Sequence, residues 1–437
     1  MATRKRATSI GQDALNALDK ASQPVGTTAT AHNSSAAAKG NKGRAAAGAG
    51  GAAGGAWTQA TGPLAWLVKP KVTLPLTAAT VGAWAVLEQR TLSAAAESNP
   101  LSPLVRISYA LPPIPGDASS VRYGKGPKDL VFLAFYIVVF SFVRQALTEY
   151  LLRPLAKALG LKTEGKITRF MEQAYAVVYF SWSGAFGLYV MSRQQSWWYN
   201  TEHFWLGYPH WRMDGPLKTY YLLQFSYWLQ QMIILVMRLE KPRVDFRELV
   251  IHHVVTLWLV GWSYLINLTM IGTAIFVSMD LPDICLALSK CLNYLDLQRT
   301  SEASFVFFLV IWTYMRHYLN LRILWSVWTE FDLIPEAYRS WTTEGNAWWL
   351  WEGLGTGAVP KWMRLQIFAP ILALQLVNAF WTYLILRILV RILSGKNARD
   401  VREEDEDAQD ARELAELEAK EKDKKEREKR GKGAKAL

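Results

Sequence analysis

Two adjacent histidines, His252 and His253, lie in the run from Leu249 to Met279, where no other side chain titrates near neutral pH. The next segment, MDLPDICLALSKCLNY, adds Asp280, Asp283 and Lys290. A run so apolar reads as membrane, where ionisable groups are expensive and mark sites. On a helix, Asp245, Glu248, His252 and Thr256 share a face, while His253 points about 100° away. The two rings therefore need not do the same job. Asp280, Asp283, Ala287, Lys290 and Tyr294 recur at three and four, giving a polar stripe expected to face the histidine helix. An imidazole can take a proton as general base, and a neighbouring aspartate would hold its tautomer and stabilise the imidazolium. A further apolar stretch carries Arg316, His317, Asn320 and Arg322.

Bland readings apply to some of these groups. A lone buried histidine such as His317 is most simply a satisfied structural group. The adjacent pair with two aspartates is harder to dismiss, because each unpaired buried charge costs several kcal/mol. No metal site is expected: the histidines are too few and scattered for a di-iron cluster, and neighbours on a helix face apart.

The elements that must position these groups are apolar helices. Hydrophobic residues make up 51% of the chain and charged ones 20%, and the mean hydropathy of +0.04 averages apolar blocks with polar ends. Eight spans are expected, at about 72–88, 130–148, 170–191, 218–237, 249–267, 271–294, 304–328 and 364–392, the first being short and Thr-rich. The fold class is thus all-α, a polytopic transmembrane helical bundle. Arg153, Lys157, Lys162, Lys166 and Arg169 share one short loop, and Arg238, Lys241, Arg243 and Arg247 another. Both are read as cytosolic by the positive-inside rule, as are both termini. The opposite loops are rich in tryptophan or acidic, as interfacial belts require, but the loop at 89–129 carries five basic residues and fits poorly.

Residues 1–62 are Ala, Gly, Ser and Thr with scattered basic residues, a composition that reads as disordered, and residues 394–437 form a charged cytosolic tail. Cys285 and Cys291 both fall within one expected span, so no disulfide framework is implied. The net charge of +12 suits anionic lipid surfaces or phosphorylated substrates, and no nucleic-acid motif is present.

The segments LEKPRVDFRELVIHHVVTL at 239–257 and MDLPDICLALSKCLNYL at 279–295 resemble the Lag motif of ceramide synthases. MEQAYAVVYFSWSGAFGLYVM at 171–191 and RHYLNLRILWSVWTEF at 316–331 resemble the fungal members. Together they cover a TLC (TRAM, Lag, CLN) domain at about 166–393, with the Lag motif at 243–294, preceded by two N-terminal spans and a luminal loop at 63–160. The loop at 89–129 does not resemble the homeobox-like insert of many animal members.

The resemblance implies a TLC-type core of six or seven helices and acyl transfer from a fatty acyl-CoA to the amine of a sphingoid base, dihydrosphingosine or phytosphingosine, at the endoplasmic reticulum. Acyl-CoA is then a co-substrate and no cofactor is required. His252, His253, Asp280 and Asp283 become the catalytic candidates. An imidazole would either deprotonate the attacking amine or accept the acyl group covalently. Lys241, Arg243 and Arg247 at the cytosolic mouth would receive the CoA phosphates, with Asp245, Glu248, Lys290 and Arg316 as further substrate-binding candidates. The resemblance also implies a small single-span accessory subunit or a dimer. The competing class is a TLC-domain lipid transporter or sensor using the same polar residues.

Overall fold

The computed structural model describes residues 69–93, 99–113, 121–237, 246–339 and 359–394, with Trp66 and Ala415 besides. Of the expected features, the tail at 1–62, nearly all of the tail at 394–437, Lys241, Arg243 and Asp245 lie outside the described residues.

The described chain is helical but for one short ribbon. Helices α1 (Pro70–Ser93) and α2 (Ser102–Val105) lead to the ribbon strand β1, Arg122–Tyr123. Helix α3 (Lys128–Ala146) runs through a π-helical turn, Leu147–Leu152, into α4 (Arg153–Ala158). Helix α5 (Glu164–Ser192) precedes strand β2 (Met213–Asp214), which pairs antiparallel with β1. Then come α6 (Gly215–Val236), α7 (Phe246–Leu265), α8 (Thr269–Tyr294) and α9 (Gln298–Trp312). A second π-helical segment, Thr313–Leu319, joins α9 to α10 (Asn320–Thr329), and α11 (Glu336–Arg339) and α12 (Met363–Leu393) follow.

Each of the eight expected spans falls on helix. Five are long and apolar enough to cross a membrane, namely Lys128–Ala158, Glu164–Ser192, Phe246–Leu265, Thr269–Tyr294 and Met363–Val390. The protein is a multi-pass membrane helical bundle.

Helix α8 is the hub, packing most extensively on α5 and α9. The α5 contact is close because small residues face it, as in other membrane helix pairs. A Cβ on Gly187 would stand 2.9 Å from Val277 and 2.5 Å from the Tyr220 hydroxyl, so only glycine fits. At one end of the bundle, buried Asp129 forms an ion pair with Lys218 at 2.8 Å and accepts from the Tyr264 hydroxyl at 2.8 Å and from the Gly126 amide at 3.0 Å. That knot joins α3, α6 and α7 where their backbone ends would otherwise meet apolar surroundings.

The connections sort into two ends. Lys125 donates to Asn267 at 2.5 Å, Arg122 pairs with Asp214, and Thr201 donates to Glu330 at 3.0 Å, gathering four connections at one end. Lys166 with Asp296, and Arg153 with Glu164, gather others at the opposite end.

Candidate active site

Helix α7 presents His252 and His253 inward, and both are buried. Their rings stand edge to face, with centroids 5.6 Å apart, and each meets Trp228 of α6 in the same way, at 5.8 Å and 5.6 Å. Trp381 of α12 closes on His252 at 5.1 Å. His253 Nδ1 lies 2.8 Å from the Leu249 carbonyl, which can only accept, so Nδ1 carries the proton and Nε2 presents a lone pair in the neutral ring. His252 Nδ1 is buried without a hydrogen-bond partner among the described residues.

His252 borders a cleft of about 740 Å³ between α6, α7, α8 and α12, partly open to its surroundings. Its walls are apolar, from Leu259 and Val260 of α7 to Ile275 and Met279 of α8 and Ile367, Ile371 and Leu374 of α12. Asp283, Arg316 and Thr256 share it with His252, whereas His253 and Asp280 do not line it. From His252 to Ser263 the lining spans eleven positions of α7, or about 16.5 Å at 1.5 Å per residue.

The polar face of the cleft is built on α8 and the π-helical segment. Arg316 Nη2 donates to Asp283 Oδ1 at 2.6 Å and to the Met279 carbonyl at 3.0 Å, and Nη1 donates to Asn378 at 3.2 Å. Its guanidinium also lies 4.4 Å from the Trp312 ring centroid. Two irregularities place these groups. Pro282 cannot donate to the Ser278 carbonyl in the preceding turn of α8, and the next carbonyl along, that of Met279, accepts Arg316. The π-helical segment also shifts the register of the side chains after Trp312, turning Met315, Arg316 and Leu319 inward. Arg316 is only 3% exposed, so its charge is matched by Asp283 inside the protein rather than by water.

The expected facing of the two polar stripes is corrected by the structure. Asp280 turns away from the histidines toward α5 and α6, where its Oδ2 accepts from Ser183 at 2.5 Å and Gln224 at 2.8 Å. Gln224 is held in turn by Tyr179 at 2.9 Å. No histidine–aspartate hydrogen bond occurs among the described residues, because both carboxylates have nearer donors. Of the other candidates, Lys290 is half-buried two turns from Asp283 and within its electrostatic reach. Arg247 is exposed and Glu248 half-buried in the first turn of α7. His317 bridges Gln375 at 2.8 Å and Thr382 at 2.6 Å, a satisfied structural role on both ring nitrogens.

Sequence reasoning missed Ser183, Gln224, Trp228, Asn378 and Trp381. Ser183, Gln224 and Asn378 are polar groups within apolar helices, the same signal that exposed the aspartates. The tryptophans were hidden among twenty.

The TLC domain family matches residues 169–387, which include every described group of this site. Sphingosine N-acyltransferase lac1 of Schizosaccharomyces pombe is 41% identical over 288 residues, covering 66% of this chain and 71% of its own. Ceramide synthase LAG1 of Saccharomyces cerevisiae is 43% identical over 300 residues, 68% of each chain. Ceramide synthase hyl-1 of Caenorhabditis elegans is 29% identical over 246 residues, 55% of this chain and 62% of its own. The match to half the chain and the length shared with the yeast proteins place it: this chain belongs to the TLC-domain family, among the fungal sphingosine N-acyltransferases of the Lag type.

Proposed function

We propose that the protein is a ceramide synthase, which transfers a fatty acyl group from acyl-CoA to the amine of a sphingoid base to form (dihydro)ceramide. The observation that carries this reading is His252, whose ring stands at an apolar cleft that runs about 16.5 Å along α7 beside the Asp283–Arg316 pair. One hydrocarbon chain lies along that cleft with its carbonyl at the histidine. The amine attacks the thioester carbonyl, the C–N bond forms, the C–S bond breaks, and CoA leaves as the thiol. The attacking amine gives up a proton, which the His252 imidazole takes and returns to the leaving sulfur. Arg316 and Asp283 fix the polar rim on which the thioester and amine are oriented, and Arg316 offers positive potential to the oxyanion as it forms. His253, with Nδ1 tied to Leu249 and its ring packed against Trp228, sets the orientation of its neighbour. Asp280 organises the α5–α6–α8 contact behind the site.

The chain crosses the endoplasmic reticulum membrane eight times with both termini in the cytosol, a reading supported by the sorting of its connections into two ends and by the basic loops. His252 then lies near the cytosolic surface, six residues into α7, where CoA arrives and where Arg247 and the basic residues preceding it meet its phosphates. A small single-span accessory subunit or a second copy completes the assembly, as the resemblance to fungal members implies. The test is the reaction itself. Membranes containing the protein, given acyl-CoA and dihydrosphingosine, form the amide and release CoA in equal amounts; absence of amide above the level of control membranes would remove the reading.

A further inference from the structure

The basic loop at 89–129 and the connection after α5 meet in a second pocket, at the end of the bundle away from the basic 153–169 loop. Within it Arg122 pairs with Asp214, and Arg193 approaches the other oxygen of the same carboxylate at 3.7 Å. Arg212 lines the same pocket, its guanidinium 4.8 Å from the Trp211 ring, with no acidic partner among the described residues. Three arginines against one aspartate leave an excess of two positive charges. Burial holds His210, also on the wall, below its ordinary value, so at neutral pH it adds no charge. Two further polar atoms are buried without partners among the described residues, Gln194 Nε2, a donor, and His210 Nε2. The pocket is a hollow that is partly open to its surroundings. Trp197 and Trp198, which follow Gln194 and Gln195 in the chain, are exposed as interfacial tryptophans are.

We propose that this pocket binds a phosphate group, presented by an anionic phospholipid headgroup or free in solution, at a site separate from the His252 cleft. Guanidinium groups suit phosphate because their planar donors match two of its oxygens at once. Stacking Arg212 on Trp211 holds one fork in place. Gln194 Nε2 supplies a neutral donor, and His210 Nε2 accepts from a P–OH or a headgroup hydroxyl. The site also accounts for basic residues standing at the end of the bundle where the positive-inside rule expects few. Arg122 is committed to Asp214, whereas Arg193 and Arg212 are exposed enough to meet a ligand.

The full-length protein, purified in detergent, is titrated with inorganic phosphate while its thermal midpoint is followed. In parallel it is placed in nanodiscs of phosphatidylcholine alone or in equal parts with phosphatidic acid. A ligand that binds the folded state raises the midpoint. Removing one arginine by Arg193→Gln or Arg212→Gln is expected to weaken binding roughly ten-fold, the size of a lost charged hydrogen bond. Arg299→Gln, at an exposed position at the other end, is expected to leave it unchanged. A rise with phosphate that the arginine variants lose supports a free-anion site, and a rise only with phosphatidic acid, lost likewise, supports a lipid headgroup site. No rise with either ligand, or a rise that Arg193→Gln and Arg212→Gln keep, or one that Arg299→Gln also loses, overturns the proposal. Arg212→Gln removes no ion pair, so its unliganded midpoint and acyl transfer, both expected to match the parent, show that it folds.

Discussion

Asp283 borders the cleft and holds Arg316, whereas Asp280 is enclosed by Ser183 and Gln224 with no cation beside it among the described residues. The same substitution should therefore have different consequences at the two positions. Asp280→Asn keeps the volume, lets the amide oxygen accept from Ser183 and Gln224, and puts the amide nitrogen where Oδ1 already lacks a partner. Its cost to stability is expected to be about 1 kcal/mol, with acyl transfer falling less than in Asp283→Asn. Asp283→Asn leaves buried Arg316 facing a neutral amide, and both the thermal midpoint and the rate should fall further. The comparison needs rate per folded protein and a melting curve for each variant, and a larger loss at Asp280 would assign the aspartates the other way. The histidines and aspartates were legible as groups too expensive to bury idly. Their partners were not, because Ser183 stands 97 residues from Asp280 and Arg316 stands 33 from Asp283, and helical periodicity carries no information across helices.

Long apolar runs made the helices readable one by one, because each must satisfy its own backbone within the bilayer. The π-helical segments left no such trace: a single extra residue per turn changes neither composition nor length enough to show. Yet Thr313–Leu319 is what turns Arg316 toward Asp283. The knot of Asp129 and Lys218 was equally hidden, since both residues sit at helix ends and read as ordinary flanking charges. Their side chains are 5% and 0% exposed, and removing one partner of such a pair is expected to cost about 3–5 kcal/mol. Asp129→Asn and Lys218→Met should each lower the denaturation midpoint by that measure. The double variant should fall well short of the sum, because the second change removes a charge already stranded. Simple additivity would mean that the two groups act independently and that α3, α6 and α7 are joined by packing alone.

At the scale of the whole chain, the proposed eight crossings would place both ends on one face of the membrane. Tags at residues 1 and 437 are expected to be cut by protease in intact microsomes, and Asn267, within the sequon Asn267-Leu268-Thr269, is expected to stay unglycosylated. Asn267 is 2% exposed and its amide oxygen is held by Lys125. A protected tag at one end only would mean an odd number of crossings. Membrane character, helix order and the Lag motif were all legible in the sequence, whereas the cleft was not, because it exists only where α6, α7, α8 and α12 converge. Within that cleft, acyl transfer is proposed to happen at His252. The most direct measurement is amide formation from acyl-CoA and dihydrosphingosine by purified His252→Ala, normalised to folded protein. Loss of a positioned base should lower the rate about 10²- to 10⁴-fold while membrane insertion and the melting curve persist. A near-normal rate from well-folded His252→Ala protein would contradict the account and move the chemistry out of this cleft.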